Sequence, residues 1–472
     1  MYFIDKNEDV PLEKLRVFPP ECSRFFLCNE LVYVKTVGPF REEPPFSVVT
    51  SDSKDSYRQM SVTNERKAGC AMRYSPKEVM EYVKEANVKF IRLAFCDVFG
   101  VQKNIAIMPS ELNRAFETGI AIDASAIAGF GGAIRSDLFL HPDSSTLVHL
   151  PWRPETGGVV RMFCDVTYPD GRKLEVDTRS ILKSAISAAK QAGVTFAFGA
   201  EMEFYLFKTD ENGDPTLQPY DNAGYMDIAP DDKGENVRRA ICMTLEQMGI
   251  QPESSHHEEG PGQNEIDFRY SDPLSAADNA VTFKSVVKSV AMQNGLFADF
   301  SPKPLPDHAG SGLHINISVK SQDHQDLLPH VIAGIMEHIA DITLFTNPCE
   351  QSYERLGKNK APGYITWSSE NRSQLIRIPA ADTEHRRAEL RSADPAANPY
   401  LAFALLIFAG LDGIAKKLLP PASTDINLYA APADVLAAYK RLPSSLQEAR
   451  CTASTSDFIR AHLPDTVIAS YC

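Results

Sequence analysis

The sequence predicts an α+β chain of two domains, with its functional residues on one face of an antiparallel sheet. Three observations predict it. At 472 residues the chain is too long for one ordinary core. Segments that alternate apolar and polar residues recur along it, separated by segments of helical period that carry cap signals. And Phe198-Gly199-Ala200-Glu201-Met202-Glu203-Phe204-Tyr205-Leu206 puts two acids into an otherwise apolar strand. Residues two apart on a strand share a face, so Glu201 and Glu203 stand side by side, roughly 6 to 7 Å apart. Like charges that close repel or take up protons unless a cation lies between them.

Composition narrows the function classes. With 43% hydrophobic and 23% charged residues the chain reads as soluble and globular, and a formal net charge of -14 argues against a nucleic-acid surface. Nine cysteines without a C-x-x-C pair indicate neither a disulfide framework nor a zinc cluster, which suits a reducing, cytoplasmic setting. Met1 to Val10 is mixed and acidic, unlike a signal peptide, and the most apolar run, Tyr400 to Gly410, is too short to span a bilayer. No membrane partner is expected.

Residues 1–71, with Pro19-Pro20, Pro44-Pro45 and no sustained period, read as an extension of uncertain order. From Ser75 the chain is patterned. Ser75 caps, Pro76 opens, and Val79, Met80, Val83 and Ala86 recur at helical spacing. Lys89 to Phe95 and Lys103 to Met108 form a hairpin whose turn carries Asp97. Ile122 to Ala126 and Gly129-Phe130-Gly131-Gly132 read as a loop, Val148 to Trp152 and Val159 to Val166 as strands, and Tyr168 to Gly171 as a linker. Asp177 starts a helix that Gly193 closes, and the Glu201 strand follows.

After a helix from Val237 to Met248, a Gly-Pro-Gly turn separates Glu258 from Glu265, so two facing strands can bring both carboxylates to one point. Glu265, Asp267 and Arg269 share the polar face of the second strand. His314, Asn316 and Ser318 alternate after the glycines at 310 and 312. Arg355, Arg372, Arg377, Arg386, Arg387 and Arg391 crowd together around Glu389, and Asn398-Pro399 opens a core helix. One sheet face would thus carry Glu201, Glu203, Glu258, Glu265, His314 and Glu389 with arginines at its rim. Hard oxygen ligands plus one imidazole suit Mg²⁺ or Mn²⁺, and arginines beside such ions suit phosphate and carboxylate substrates.

Lys303 to Ser318 fits K-P-x(4)-[NPAT]-G-S-G-x-H-x(3)-S. With Asn371-Arg372-Ser373, Arg377-Ile378-Pro379, and Arg391 followed by Asp394-Pro395-Ala396-Ala397-Asn398-Pro399-Tyr400, it makes the chain resemble the glutamine synthetases from about Ser75 to about Tyr429. The resemblance implies a small N-terminal β-grasp domain over 72–171 and a catalytic domain with a curved antiparallel sheet flanked by helices over 172–472. It also implies a homododecamer with active sites between subunits. Carried over by position, Glu203, Glu258 and Glu265 would hold one ion, and Glu201, His314 and Glu389 the other. Arg355, Arg391 and Gly310 would bind the substrate carboxylate. Arg372 and Arg377 would meet the transferred phosphate, and Asn316 and Ser318 would lie on the nucleotide side. Asp97 of an adjacent subunit would help bind ammonium, making Asp97, Glu258 and Arg372 the catalytic set. The implied substrates are glutamate, ammonia or an amine, and ATP.

Three departures stand out. The flap reads Gly357-Lys358-Asn359-Lys360-Ala361-Pro362, with lysine where the family has a glutamate that closes the ammonium site. Ala309 and Asn316 replace an asparagine and a histidine, and Asp123-Ala124-Ser125-Ala126 is an altered D-G-S-S. Lys360 motivates a second reading, γ-glutamyl ligation to an organic amine; a third is a non-catalytic, ring-forming relative. Met72, directly before the family-like start, is a candidate initiator.

Overall fold

The computed structural model describes residues 74–130, 136–153, 157–379 and 386–472. The expectations for the 1–71 extension, for Met72 and for Gly131-Gly132 lie outside the described residues. Helix Pro76–Glu85 starts where expected. The Ser75 amide donates to the Glu78 carboxylate at 2.7 Å while the Ser75 hydroxyl accepts from the Glu78 amide, and Val79 and Val83 are buried.

Strands β1 (Phe90–Cys96) and β2 (Gln102–Ile107) form the expected hairpin, and β3 (Ile120–Asp123), β4 (Asp137–Pro142), β5 (Val148–His149) and β6 (Val159–Thr167) complete the first sheet. Its order is β2-β1-β6-β4-β3, with β5 on β6; β1 and β6 run parallel and the other pairs antiparallel. Two expectations need correction. Ile122 and Asp123 belong to a strand, because β4 pairs with them. Leu138 and Leu140 of β4 do alternate toward the core, but Asp137, Pro142 and the serines beyond disguise the pattern as a loop. Conversely, the strand expected over Val148 to Trp152 is two residues long, because Pro151 has no amide to continue the ladder.

Helix Thr178–Gln191, capped by Asp177 and followed by Gly193 at φ 72°, leads into the central strand β7 (Val194–Thr209). After β7 come β8 (Pro215–Pro219), helix Glu235–Gln247, β9 (Pro252–His257), β10 (Gln263–Phe268), helix Pro273–Gln293, β11 (Leu296–Asp299) and β12 (Leu313–Ser321). Helices Leu328–Thr346 and Glu350–Arg355 then precede β13 (Trp367–Ser368), β14 (Ile376–Arg377), β15 (Ala388–Leu390) and helix Pro399–Ala415. The order is β13-β14-β15-β12-β7-β10-β9, with β8 and β11 also on β7. All these pairs are antiparallel except β13 with β14, so the sheet is mixed where a purely antiparallel one was expected.

The rear face of β7 is apolar. Phe198, Met202 and Phe204 are buried there, and the Phe198 ring stacks on Phe403 of helix Pro399–Ala415 at 4.5 Å. Helix Leu328–Thr346 is long and apolar enough to cross a bilayer, but 67% of it is buried inside the protein. It approaches helix Pro399–Ala415 so closely that a Cβ on Gly334 would meet Gly413 Cα at 2.9 Å.

Arg179 ties the first sheet to the helices. Its buried guanidinium reaches Asp143 and Asp278 at 2.9 Å and Asp165 at 3.0 Å, and Asp278 also accepts from the Tyr400 hydroxyl at 2.6 Å. Burial alone lowers the pKa of a guanidinium, yet these carboxylates hold that of Arg179 well above its ordinary value. Truncating the arginine leaves acids facing one another without a cation. Arg179→Met is therefore expected to cost about 3 to 5 kcal/mol in urea unfolding, and a loss under about 1 kcal/mol, the range of an exposed pair, would contradict that role.

Candidate active site

Strand register, rather than any single loop, assembles the site. Across β7 and β10, Glu203 faces Glu265 and Glu201 faces Asp267. Across β12 and β7, His314 faces Glu201. Glu265 also faces His256 of β9, and Glu389 of β15 faces both Asn316 and Arg377. Directly opposed residues hold their Cβ atoms about 4.5 to 5.5 Å apart, so these rows bring the side chains to one surface.

That surface lines a cavity of about 240 Å³. All six residues expected to hold ions border it, as do Gly310, Arg355, Arg372, Arg377 and Arg391. Donor atoms of Glu201, His314 and Glu389 lie within 4.8 Å of one another, and so do those of Glu203, Glu265 and His314, and of His256, Glu258 and Glu265. His314 Nδ1 is 3.4 Å from Glu201 and 3.8 Å from Glu389. Glu203 is fixed by the Gly312 amide at 2.9 Å and the Gln263 amide group at 2.8 Å. Gly312 has to be glycine: a Cβ there would lie 2.9 Å from Arg355 and 3.0 Å from His314.

Charge in the cavity is unevenly shared. Among the described residues, seven carboxylates and five basic side chains line it. Burial raises the pKa of Glu201, but hydrogen bonds and charge from His314, Asn316 and Arg391 prevail and hold it down to about 2. Burial raises the pKa of Glu258, but the His256 hydrogen bond at 3.0 Å, the Glu259 amide, the His256 charge and the Glu265 hydrogen bond together pull it below its ordinary value. Burial pushes Glu265 well above its ordinary value, and the charges of Glu203, Asp267, Glu201 and Glu258 push it further. Burial and the Glu201 charge push Asp267 up to about 6. One oxygen of Asp267 is buried without a hydrogen-bond partner. Crowded acids, an orphaned carboxylate oxygen and the imidazoles of His314 and His256 make a donor set that fits hard divalent cations.

The arginines are anchored for anions. Arg355 is buried and donates to the Ser392 carbonyl at 2.8 Å. Arg377 pairs with Glu389 at 2.9 Å, and Arg391 pairs with Glu389 from the other side while donating to the Arg372 carbonyl at 3.1 Å.

Three expected residues do not line this cavity. Asn316 stands behind it, donating to Glu201 at 2.7 Å and accepting from Arg387 at 2.9 Å, so it orients a candidate ligand. Ser318 shares the strand face with His314, but four residues of rise carry it past the cavity, opposite Ala197. Asp97 is buried in its turn, accepting from the Phe99 and Val101 amides at 3.0 and 2.9 Å with Lys103 at 3.4 Å. Sequence reasoning missed His256, Asp267, Gln263, Glu259 and Tyr225, all of which line the cavity. The period-two rule held the signal for two of them, since Asp267 follows Glu265 and His256 precedes Glu258 by two positions.

Comparison with known proteins gives the family. The family model for the glutamine synthetase β-grasp domain matches residues 87–169, and that for the catalytic domain matches residues 175–472. A protein named glutamine synthetase from Clostridium saccharobutylicum is 44% identical over 414 residues, covering 84% of this chain and 94% of the relative. One of the same name from Methanosarcina mazei is 45% identical over 411 residues, covering 84% and 92%. Among solved structures, a protein named GmaS in complex with ADP matches with a TM-score of 0.75 at 28% identity, over 83% of this chain and 93% of that one. With its two matched domains and these full-length relatives, the chain belongs to the glutamine synthetase family, the carbon–nitrogen ligases that join ammonia to glutamate.

Proposed function

We propose that this cavity forms glutamine from glutamate and ammonia with cleavage of ATP, through a γ-glutamyl phosphate. The observation that carries the reading is the gathering of five glutamates and one histidine from five segments around one small cavity, with arginines opposite. Glu203, Glu258 and Glu265 would hold one divalent cation, Mg²⁺ or Mn²⁺, and Glu201, His314 and Glu389 a second. Such ions, when bound, neutralise negative charge on the nucleotide phosphates.

The chain's own residues do the rest. Arg355 and Arg391 bind the α-carboxylate beside Gly310, and Arg372 and Arg377 draw charge from the phosphoryl group in flight. An oxygen of the γ-carboxylate attacks the terminal phosphorus, and the bond to the ADP oxygen breaks. Ammonium, bound with help from Asp97 of an adjacent subunit in a homododecamer, gives up a proton to that carboxylate; its nitrogen then attacks the γ-carbonyl carbon, the bond to the phosphate oxygen breaks, and phosphate leaves with the second proton lost from nitrogen. Asn316 serves the nucleotide side by holding Glu201. The division into a small domain over 72–171 and a catalytic domain over 172–472 belongs to the same reading.

Ligation to an organic amine was motivated by Lys360 as a free cation at the acceptor end. Lys360 instead pairs with Glu259 at 2.6 Å, which removes that motive and favours ammonia. A non-catalytic relative has no use for a complete, buried ligand set.

The decisive assay supplies ATP, Mg²⁺, glutamate and ammonia and expects one phosphate released per glutamine formed; ATP cleavage without glutamine would refute the reading. Glu389→Ala is expected to slow turnover by about 100-fold or more, while Glu370→Ala, an exposed change outside the cavity, leaves it unaltered. Equal kinetics for the two would contradict the assignment. Titration calorimetry with Mn²⁺ tests the protonated acids. Because Glu265 is pushed well above its ordinary value, a cation would displace its proton, so affinity measured from pH 6 to pH 8 should tighten as pH rises, by up to about tenfold per unit for each proton displaced. Affinity that is flat across that range would show that no such proton is held.

A further inference from the structure

Gln263 opens β10, wholly buried, where Glu203 of β7, the Gly310 loop before β12 and the turn after Glu258 meet. Its partners fix which way the side-chain amide points. The Glu203 carboxylate and the Gly310 carbonyl can only accept, so the amide nitrogen donates to them, at 2.8 and 3.2 Å. The Gly260 backbone amide can only donate, and the side-chain oxygen accepts from it at 2.9 Å. Turning the amide over would oppose acceptor to acceptor twice and donor to donor once.

The surroundings leave this side chain one seat. The buried Tyr205 hydroxyl donates to the Ala309 carbonyl at 2.5 Å and lies 3.2 Å from the Gln263 oxygen. Gly260 has to be glycine, since a Cβ there would stand 2.0 Å from the Tyr205 hydroxyl and 2.7 Å from the Gln263 oxygen. Glu203 takes both of its holding donors, Gln263 and the Gly312 amide at 2.9 Å, on Oε2. Its Oε1 is then the oxygen presented to an ion, 4.0 Å from His314 Nε2. Arg355 packs on the Gly310 loop, where a Cβ on Gly310 would lie 2.9 Å from its Cγ.

Resting on the ligase reading above, we propose that Gln263 is a positioning residue that couples cation binding to glutamate binding. One hydrogen of its amide aims Glu203 at the ion, and the other holds the Gly310 carbonyl on the loop beside the substrate carboxylate. The amide is planar, so its two hydrogens are fixed relative to each other and neither bond shifts without moving the other. A cation drawn onto Oε1 sets the position of Glu203 and, through the shared amide, that of the loop against Arg355. Both ligands then favour one arrangement, and linkage requires each to tighten the other by the same factor. Direct attraction between cation and substrate carboxylate also couples them, but that part survives loss of the amide.

Two variants test this. Gln263→Met keeps the length without either donor, and Gln263→Glu keeps the shape but has at most one hydrogen to offer two partners. Titration calorimetry measures the Mn²⁺ dissociation constant of each protein without and with saturating glutamate, in the absence of nucleotide so that no turnover intervenes. In the parent, glutamate should tighten Mn²⁺ binding by at least about tenfold, and each variant should lower that factor by at least about fivefold. A glutamine that merely fills space would weaken the two ligands singly when replaced and leave the factor alone. Variants that keep the parent's factor to within about twofold would overturn the proposal. So would a parent whose Mn²⁺ affinity does not respond to glutamate, an outcome that needs no variant to fold. Failure of the ligase reading looks different, because the parent would then make no glutamine whatever its binding factor.

Discussion

Carboxylates that face one another across β7 and β10, with Glu258 and Glu389 beside them, cannot all stay ionised around one cavity unless positive charge lies among them. Glu201, Glu203, Glu265 and Asp267 occupy adjacent cross-strand positions, and the surrounding side chains meet the resulting repulsion in two ways. Some acids are held down by partners: Glu201 by His314 and Asn316, Glu258 by His256. Others are pushed above their ordinary values, Asp267 to about 6 and Glu265 well above its own, so that each gives up its proton less readily. A site poised between these two conditions is matched to a doubly charged ligand, which can replace protons and satisfy several carboxylates together.

The rest of the fold maintains that poise. Register errors in a sheet move every side chain to the other face, so the acids depend on a rear face that permits one pairing only. That face is supplied by Phe198, Met202 and Phe204 packed on helix Pro399–Ala415, and by the close contact of that helix with helix Leu328–Thr346. Arg179 joins the first sheet to helix Pro273–Gln293, whose Asp278 also accepts from Tyr400 of helix Pro399–Ala415. The arginines are equally constrained, since Arg377 and Arg391 hold Glu389 between them.

Much of this was legible in the residues because the site is written in period two. Glu201 with Glu203 marks a strand with one acidic face, and each such face in turn names its own ligands. What stayed hidden depends on distance along the chain. Nothing local says that Ser318 runs past the cavity while Glu389, 71 residues later, returns to it. The β4 strand is disguised by Asp137 and Pro142, and Pro151 cuts a promising strand to two residues. The meaning of Lys360 was the least accessible, because it rests on Glu259, 101 positions earlier, and on a turn whose positive φ angles no composition rule predicts.

The central claim is that these side chains exist to hold divalent cations. Anomalous diffraction from crystals grown with Mn²⁺ tests it most directly. The account predicts two peaks inside the cavity, one ligated by Glu203, Glu258 and Glu265 and the other by Glu201, His314 and Glu389. A cavity without anomalous density at saturating Mn²⁺, or ions bound by other side chains, would contradict it.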